Sequence, residues 1–180
     1  PENGVAGTVL ANGALASDSS GEGEIRKNMI EGRVVECIVA MPSQLFYATG
    51  IPCSLWIMRR NRDEKTRNKI LFIDARNLGS MIDRKVRELT EEDISKIATT
   101  YHNWRNESNY EDELGFCKSA TIDEVKENDY ALTPGRYVGT PEDEGDGIPF
   151  EEKMQKLTVE LSEQLKEEEA LNKELKKVLG

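Results

Sequence analysis

Residues Val39 to Ile57 read VAMPSQLFYATGIPCSLWI, two apolar runs flanking a loop that holds Pro42, Gly50 and Pro52. Each run has the length and composition of a strand, so the loop between them decides how they pair. A parallel pair needs a crossover of a dozen or more residues, usually a helix. The connection here is too short for one, so the two strands are expected to run antiparallel. That single step rules out a purely parallel sheet.

The neighbouring pattern extends the sheet. Gly4 to Ala11 is short, apolar and closed by Asn12-Gly13, which predicts a strand. Residues 12–20 are a loop of small residues. Glu22 to Glu31 reads as a helix with Ile25, Met29 and Ile30 facing inward, ended by Gly32. Val34–Met41, Cys53–Arg59 and Lys69–Asp74 read as further strands, with a charged turn over Asn61–Asn68. The order β–α–β–loop–β–β is that of the second half of a doubly wound α/β sheet. Strands of an isolated half expose apolar edges and faces. Such a segment is marginal alone, is covered by another chain, or repacks as a self-contained mini-domain.

Beyond the sheet the pattern turns helical. Thr90-Glu-Glu-Asp93 resembles a capping box and opens a helix to about Arg105. Its expected inward stripe is Ile94, Ile97, Ala98, Tyr101 and Trp104. His102, the single histidine of the chain, has no carboxylate or nucleophile partner in the pattern and reads as structural or solvated. Thr121-Ile-Asp-Glu124 opens a shorter helix ending near Asn128, and Pro134-Gly135 sets a turn within Leu132–Val138. Residues 140–149 form an acidic, Gly-containing linker. A long helix over Pro149–Leu179 follows, with Met154, Leu157, Leu161, Leu171, Leu175 and Val178 at three/four spacing and polar breaks at Gln164 and Glu168. That stripe folds back on its own domain or docks on another subunit. The breaks disfavour a long homodimeric coiled coil.

Composition narrows the function. Charged residues make up 32% and hydrophobic ones 37%, and the net charge is −10. Such a chain is not a DNA-wrapping surface, which needs a basic field. Arg59, Arg60, Arg62, Lys65, Arg67 and Lys69 cluster, but read as a solvated hairpin tip. Cys37, Cys53 and Cys117 show no metal-ligand spacing, so no metal site is expected. An odd cysteine count without a signal peptide fits a reducing cytoplasm. The longest apolar run is far short of a membrane span.

The candidate site residues are Phe46 and Tyr47, in the loop between the two apolar runs. Exposed rings on a strand–loop–strand unit can hold the face of a base drawn out of its helix. The alternative is that they cap the core at a sheet edge.

Five segments in register carry a family resemblance. They are Gly4-Val-Ala-Gly-Thr-Val-Leu-Ala-Asn12, Gly21-Glu-Gly-Glu-Ile-Arg-Lys27, the Phe46 loop, Ile70-Leu-Phe-Ile-Asp-Ala-Arg76 and Leu132-Thr-Pro-Gly-Arg-Tyr-Val138. Together they resemble the modification subunit of type I restriction–modification systems, among the N6-adenine DNA methyltransferases. The resemblance implies the C-terminal half of a Rossmann-like sheet with an antiparallel final strand and a helical tail. It implies methyl transfer from S-adenosylmethionine to adenine N6. It also implies a specificity subunit, a second modification subunit and, where the system carries one, a restriction subunit as partners, with DNA in the assembled complex. By position, Phe46 is the ring expected to stack on the flipped adenine.

Two family features are missing. No Asn-Pro pair occurs, so the Asn-Pro-Pro-Phe tetrapeptide that holds the target amino group is absent. Gly21-Glu-Gly23 follows a polar loop rather than a strand, so the Gly-rich cofactor turn is absent too. The chain starts without Met, at Pro1-Glu-Asn-Gly4, and is expected to be a C-terminal fragment, inactive alone, with no catalytic residue of its own and its cofactor contacts unassigned. The expected division is 1–84 for the catalytic domain, 85–139 for a helical extension, 140–149 for the linker and 150–180 for a subunit-docking helix. Two other readings stay open at this point. One is a non-catalytic assembly module, in which the aromatics are core residues. The other is part of a single-chain adenine methyltransferase.

Overall fold

A computed structural model describes residues 3–139 and a helix over 150–179, with that helix's side chains described at 154–168 and 171–173. The expected linker over 140–149 lies outside the described residues, as do the side chains of Leu175 and Val178. The chain divides into two units, Pro1–Pro141 and Glu142–Gly180.

The first unit holds β1 (Val5–Ala11), α1 (Glu22–Glu31), β2 (Val35–Ala40), β3 (Cys53–Arg59), α2 (Glu64–Arg67) and β4 (Lys69–Asp74). It continues with β5 (Ser80–Met81), β6 (Arg87–Glu88), α3 (Glu91–Asn106), β7 (Cys117–Thr121) and α4 (Ile122–Glu127). Five strands form one mixed sheet in the order β1-β3-β2-β4-β7, and β5 and β6 form a small hairpin. β3 runs antiparallel to β2, with Val39 opposite Leu55, as the short loop requires. β2 and β4 are parallel, with Cys37 opposite Leu71. β3 thus fills the gap that the β1–α1–β2 crossover leaves.

The sheet is covered on both faces. All six residues of β2 are buried, the pattern of a central strand between two layers. One face packs Ile38, Trp56 and Phe72 against Leu15, Ile30 of α1, Val125 of α4 and Leu132. There the Tyr137 ring stacks on Phe72 with centroids 3.8 Å apart. The other face packs Val39, Leu71 and Ile73 against Tyr101 and Trp104 of α3.

α3 starts where the capping box predicts. Thr90 Oγ1 accepts from Asp93 N at 3.1 Å, and Asp93 Oδ2 accepts from Thr90 N at 2.9 Å. Thr121 and Glu124 repeat the arrangement at α4. These reciprocal bonds satisfy backbone donors that a helix start otherwise leaves open.

Several expectations change. Ile25 is 61% exposed, and its neighbour Arg26 is buried instead. Arg26 donates to Tyr130 O at 2.8 Å and Ser17 O at 2.7 Å and pairs with Asp18, so its stem packs while its charge is satisfied. The inward stripe of α3 is narrower than the spacing suggests, because Ile94 and Ala98 face solvent. The charged turn over Asn61–Asn68 contains α2, and Arg62 within the basic cluster is a core residue. Its guanidinium donates to Val35 O, Thr66 O and Lys69 O at 2.7, 2.6 and 2.6 Å. The segment expected to be a helical extension supplies β7, a full strand of the main sheet.

Arg62 belongs to a buried network. A register shift between Val35 and Cys37 marks a bulge at Glu36. The Glu36 carboxylate accepts from Tyr101 Oη at 2.9 Å and lies 4.0 Å from Arg62 Nε. Burial pushes the Arg62 pKa down, opposed by Glu36. Burial, reinforced by the bond to Glu36, pushes the Tyr101 hydroxyl up. The network pins α3 to β2 and to the start of β4.

The second unit is α5 (Phe150–Leu179), a helix of 30 residues. Met154, Leu157, Leu161 and Leu171 are 47%, 52%, 57% and 54% exposed.

Candidate functional site

The carboxyl ends of β1, β2 and β4 and the start of β3 lie along one edge of the sheet, which follows from their pairing. Ligands in open α/β sheets bind outside such an edge. The loop over residues 41–52 rises from it. Met41 N donates to Cys53 O at 2.9 Å and closes the loop at its base. Pro42 is buried there, while every residue from Phe46 to Ile51 is exposed. Gln44 has a left-handed backbone, φ +65°, which turns the chain outward. A bridge between Phe46 and Thr49 then folds the tip, with Thr49 N donating to Phe46 O at 3.3 Å.

Phe46 is 46% and Tyr47 89% exposed, and neither is among the buried core residues. Ile51, 63% exposed, is a third exposed apolar side chain on the same loop. An exposed aromatic ring offers a flat, apolar face to a planar ligand.

Two further groups line the same edge. At the end of β4, Arg76 grips Asp74 with Nε–Oδ1 at 2.8 Å and Nη2–Oδ2 at 2.5 Å. That bond raises the Arg76 pKa. The turn at Pro134-Gly135 lies over this pair. A Cβ on Gly135 would stand 2.9 Å from Arg76 Nη2 and force the guanidinium aside. The resemblance already singled out both segments, Ile70–Arg76 and Leu132–Val138, without giving their residues a role. At the end of β1, Asn12 Oδ1 is buried without a hydrogen-bond partner among the described residues.

The β5–β6 hairpin holds the loop from the side, through Arg87 N donating to Gln44 O at 2.8 Å. Nothing in the sequence pattern signalled it, since strands of two residues carry no alternation. A cleft lined by Lys65, Trp104, Tyr110 and Asp112 opens at the opposite edge of the sheet, away from the aromatic loop. Among the described residues no group of three or more His, Cys, Asp or Glu side chains is placed to hold a metal. No helix among them is long and apolar enough to cross a membrane.

A half-sheet of the doubly wound type, with an inserted antiparallel strand and exposed aromatics at its carboxyl edge, is a Rossmann-like α/β architecture. Residues 1–146 match the family described as N-6 DNA Methylase, and the chain belongs to that family. It is 52% identical to the type I restriction enzyme HindI methylase subunit of Haemophilus influenzae, over 99% of this chain and 40% of that protein. It is 48% identical to the MjaIX methylase subunit of Methanocaldococcus jannaschii, over 98% of this chain and 32% of the relative. The chain thus spans well under half the length of these relatives. A crystal structure of the type I restriction-modification system methyltransferase subunit from Streptococcus thermophilus superposes with a TM-score of 0.67 and 32% identity, over 77% of this chain and 27% of that one.

Proposed function

We infer that this chain is the C-terminal part of a type I modification subunit, which methylates N6 of adenine in DNA, and that Phe46 stacks on the extruded base. The observation that carries the reading is the exposed Phe46–Tyr47 tip at the carboxyl edge of a sheet in the N-6 DNA methylase family. The adenine amino lone pair is delocalised into its ring and is a weak nucleophile. The enzyme must hold it with acceptors and in line with the methyl donor. A ring clamped on the base face fixes the plane in which that alignment is made.

S-adenosylmethionine supplies the methyl group, and its cradle is built mainly by residues other than those described. β1 reaches α1 through residues 12–21, and Gly21-Glu-Gly23 begins the helix after a polar turn rather than after a strand. We place the cofactor pocket and the amino-group acceptors in the remaining length of the longer protein. The unpaired apolar edge of β1 supports residues 1–84 as one side of that catalytic domain. The three free, buried cysteines agree with a cytoplasmic protein. An assembly module with no part in the base pocket would keep both aromatics in its core, and the loop gives no support to that.

The exposed stripe of α5 is proposed to dock on the specificity subunit, which a second modification subunit would flank from its other side. A restriction subunit joins where the system carries one. Truncation after Val138 should abolish co-purification with the specificity subunit and leave cofactor binding by the longer protein intact. Size-exclusion chromatography with light scattering measures it, and normal assembly by the truncated protein would refute docking through α5.

The direct test of the site is Phe46→Ala in the longer protein. Loss of one stack at ~1–3 kcal/mol predicts methylation efficiency lower by roughly 5- to 150-fold, with cofactor affinity unchanged. Wild-type methylation by both Phe46→Ala and Tyr47→Ala would remove the assignment. The 180 residues alone should transfer no tritiated methyl groups to unmethylated DNA.

A further inference from the structure

The β5–β6 hairpin is a small element with an unusually firm root. Val86, 8% exposed, buries its side chain beneath the turn. Ile82 N donates to Val86 O at 3.0 Å. The Arg87 guanidinium turns inward and donates to Leu78 O at 3.1 Å and Gly79 O at 3.0 Å. Gly79 has φ +78°, and a Cβ there would stand 2.7 Å from Glu88 O, so the two strands cross at contact distance. Gly79 N also donates to Asp93 Oδ2, which fastens the root to the capping box of α3.

The tip is the reverse. Asp83, Arg84 and Lys85 are all exposed. Asp83 is occupied by the backbone N–H of Arg84. Among the described residues neither Arg84 nor Lys85 enters an ion pair closer than 4.0 Å, a state they share with other exposed cations such as Arg60 and Arg67. A chain of net charge −10 therefore holds two adjacent, unpaired cations out on a braced arm. Glu88 is the other acid of the hairpin, and it lies back at the root.

The position of the arm gives it meaning. Arg87 N is bonded to Gln44 O, two residues before Phe46. At about 3.3 Å per residue, the Arg84-Lys85 tip reaches roughly 7–10 Å from that anchor. Successive phosphates of one strand advance ~3.4 Å along the duplex axis, so the arm spans two or three base-pair steps beside the stacking ring.

We propose that the β5–β6 hairpin is a DNA-backbone clamp, with Arg84 and Lys85 contacting phosphates next to the extruded adenine. The proposal rests on the base-stacking reading of Phe46 for its location. The bond from Arg87 to Gln44 ties the root of the hairpin to the loop that carries Phe46, so a phosphate held by the tip would set the register of the backbone against the ring. Contacts of this kind carry no sequence information and position the duplex. That suits a subunit whose target sequence is chosen elsewhere.

The test uses the longer protein assembled with its co-expressed subunits and a duplex carrying its mapped methylation site. One copy of the duplex bears 2-aminopurine at the target adenine. Each neutralised phosphate contributes ~0.9 to the slope of log affinity against log salt. Arg84→Ala/Lys85→Ala should make that slope shallower by about 2, and Arg84→Lys/Lys85→Arg should restore it. The 2-aminopurine signal at saturating DNA should persist in the alanine variant. Phe46→Ala should do the opposite, leaving the slope alone and reducing methylation. A wild-type slope in a folded alanine variant overturns the clamp, and so does loss of subunit assembly in that variant, which would assign the tip to a protein contact. A shallower slope together with wild-type methylation by both Phe46→Ala and Tyr47→Ala would leave the clamp standing and remove the stacking ring.

Discussion

β1 and β7 each border the sheet. β1 exposes Val5, Val9 and Leu10 at 50%, 52% and 38%, whereas β7 holds Cys117 and Ala120 at 3% and 0%. The chain itself covers the outer side of β7. Glu113 and Cys117 exchange backbone bonds at 2.9 Å, and Asp112 Oδ1 accepts from Ser119 N at 2.9 Å. Trp104 Nε1 adds a bond to Ser119 Oγ at 2.7 Å. Among the described residues the outer side of β1 has no partner strand. An apolar, unpaired edge is a template for further pairing, and folded proteins avoid leaving one open. The β7 side is closed by residues within this chain, whereas the β1 side leaves an apolar, unpaired edge among the described residues.

The largest expected effect tests the closed side. Arg62→Ala leaves Glu36 buried with Tyr101 as its remaining partner and strips donors from three backbone carbonyls. Removing one member of a buried pair costs about 3–5 kcal/mol. Urea unfolding of the 180-residue chain should lose stability on that scale. Glu36→Leu/Arg62→Met should recover most of it, because the uncompensated charge goes too. A loss under about 1 kcal/mol would mean that this network does not hold α3 to the sheet.

A paired substitution sharpens the contrast. Ala120→Leu on β7 overpacks a filled site and should cost ~1–3 kcal/mol. Val9→Lys on β1 should change the stability of this chain by no more than ~0.5 kcal/mol, because the site is open. In the longer protein the same lysine should cost clearly more, since a covered seam would bury its charge. Equal losses at the two positions in this chain would erase the distinction between the strands.

The sequence made the centre of the fold legible and its margins much less so. The four strands rich in Val, Ile and Leu, and the starts of α3 and α4, stand within a residue or so of where pattern and cap chemistry place them. β7 escaped because Cys-Lys-Ser-Ala-Thr has a β-branched residue only at its end and no alternation; it pairs with β4, and Ser119 accepts a bond from Trp104. Arg26 and Arg62 escaped because charge reads as solvent exposure, and only the folded chain shows which carbonyls await them. Of the site, the aromatic loop was visible as two adjacent rings between prolines. The brace behind it was not, because Arg87 acts through its backbone N–H, which no side-chain pattern reports.

The smallest expected effect concerns acid. Asp93 and Glu124 accept backbone bonds from Thr90 and Thr121, and those bonds hold both carboxyls below their ordinary pKa values. A carboxyl with a depressed folded-state pKa contributes stability above its unfolded value, which is ~4. As pH falls through ~4 the unfolded chain takes up protons first, and the contribution is gone once pH drops below the folded values. Both side chains are partly exposed to solvent, which screens them, so each effect is small. Asp93→Asn and Glu124→Gln should therefore be slightly less stable than the parent chain at pH 7. The gap should close as pH falls below about 4, where the parent's own carboxyls are protonated. Urea midpoints across that range measure it. Both caps lie on the β7 side, so a Val9→Lys chain should keep the full acid dependence and the capping variants should lose part of it. Parallel curves for the parent and the capping variants would show that other carboxyls govern the acid limb.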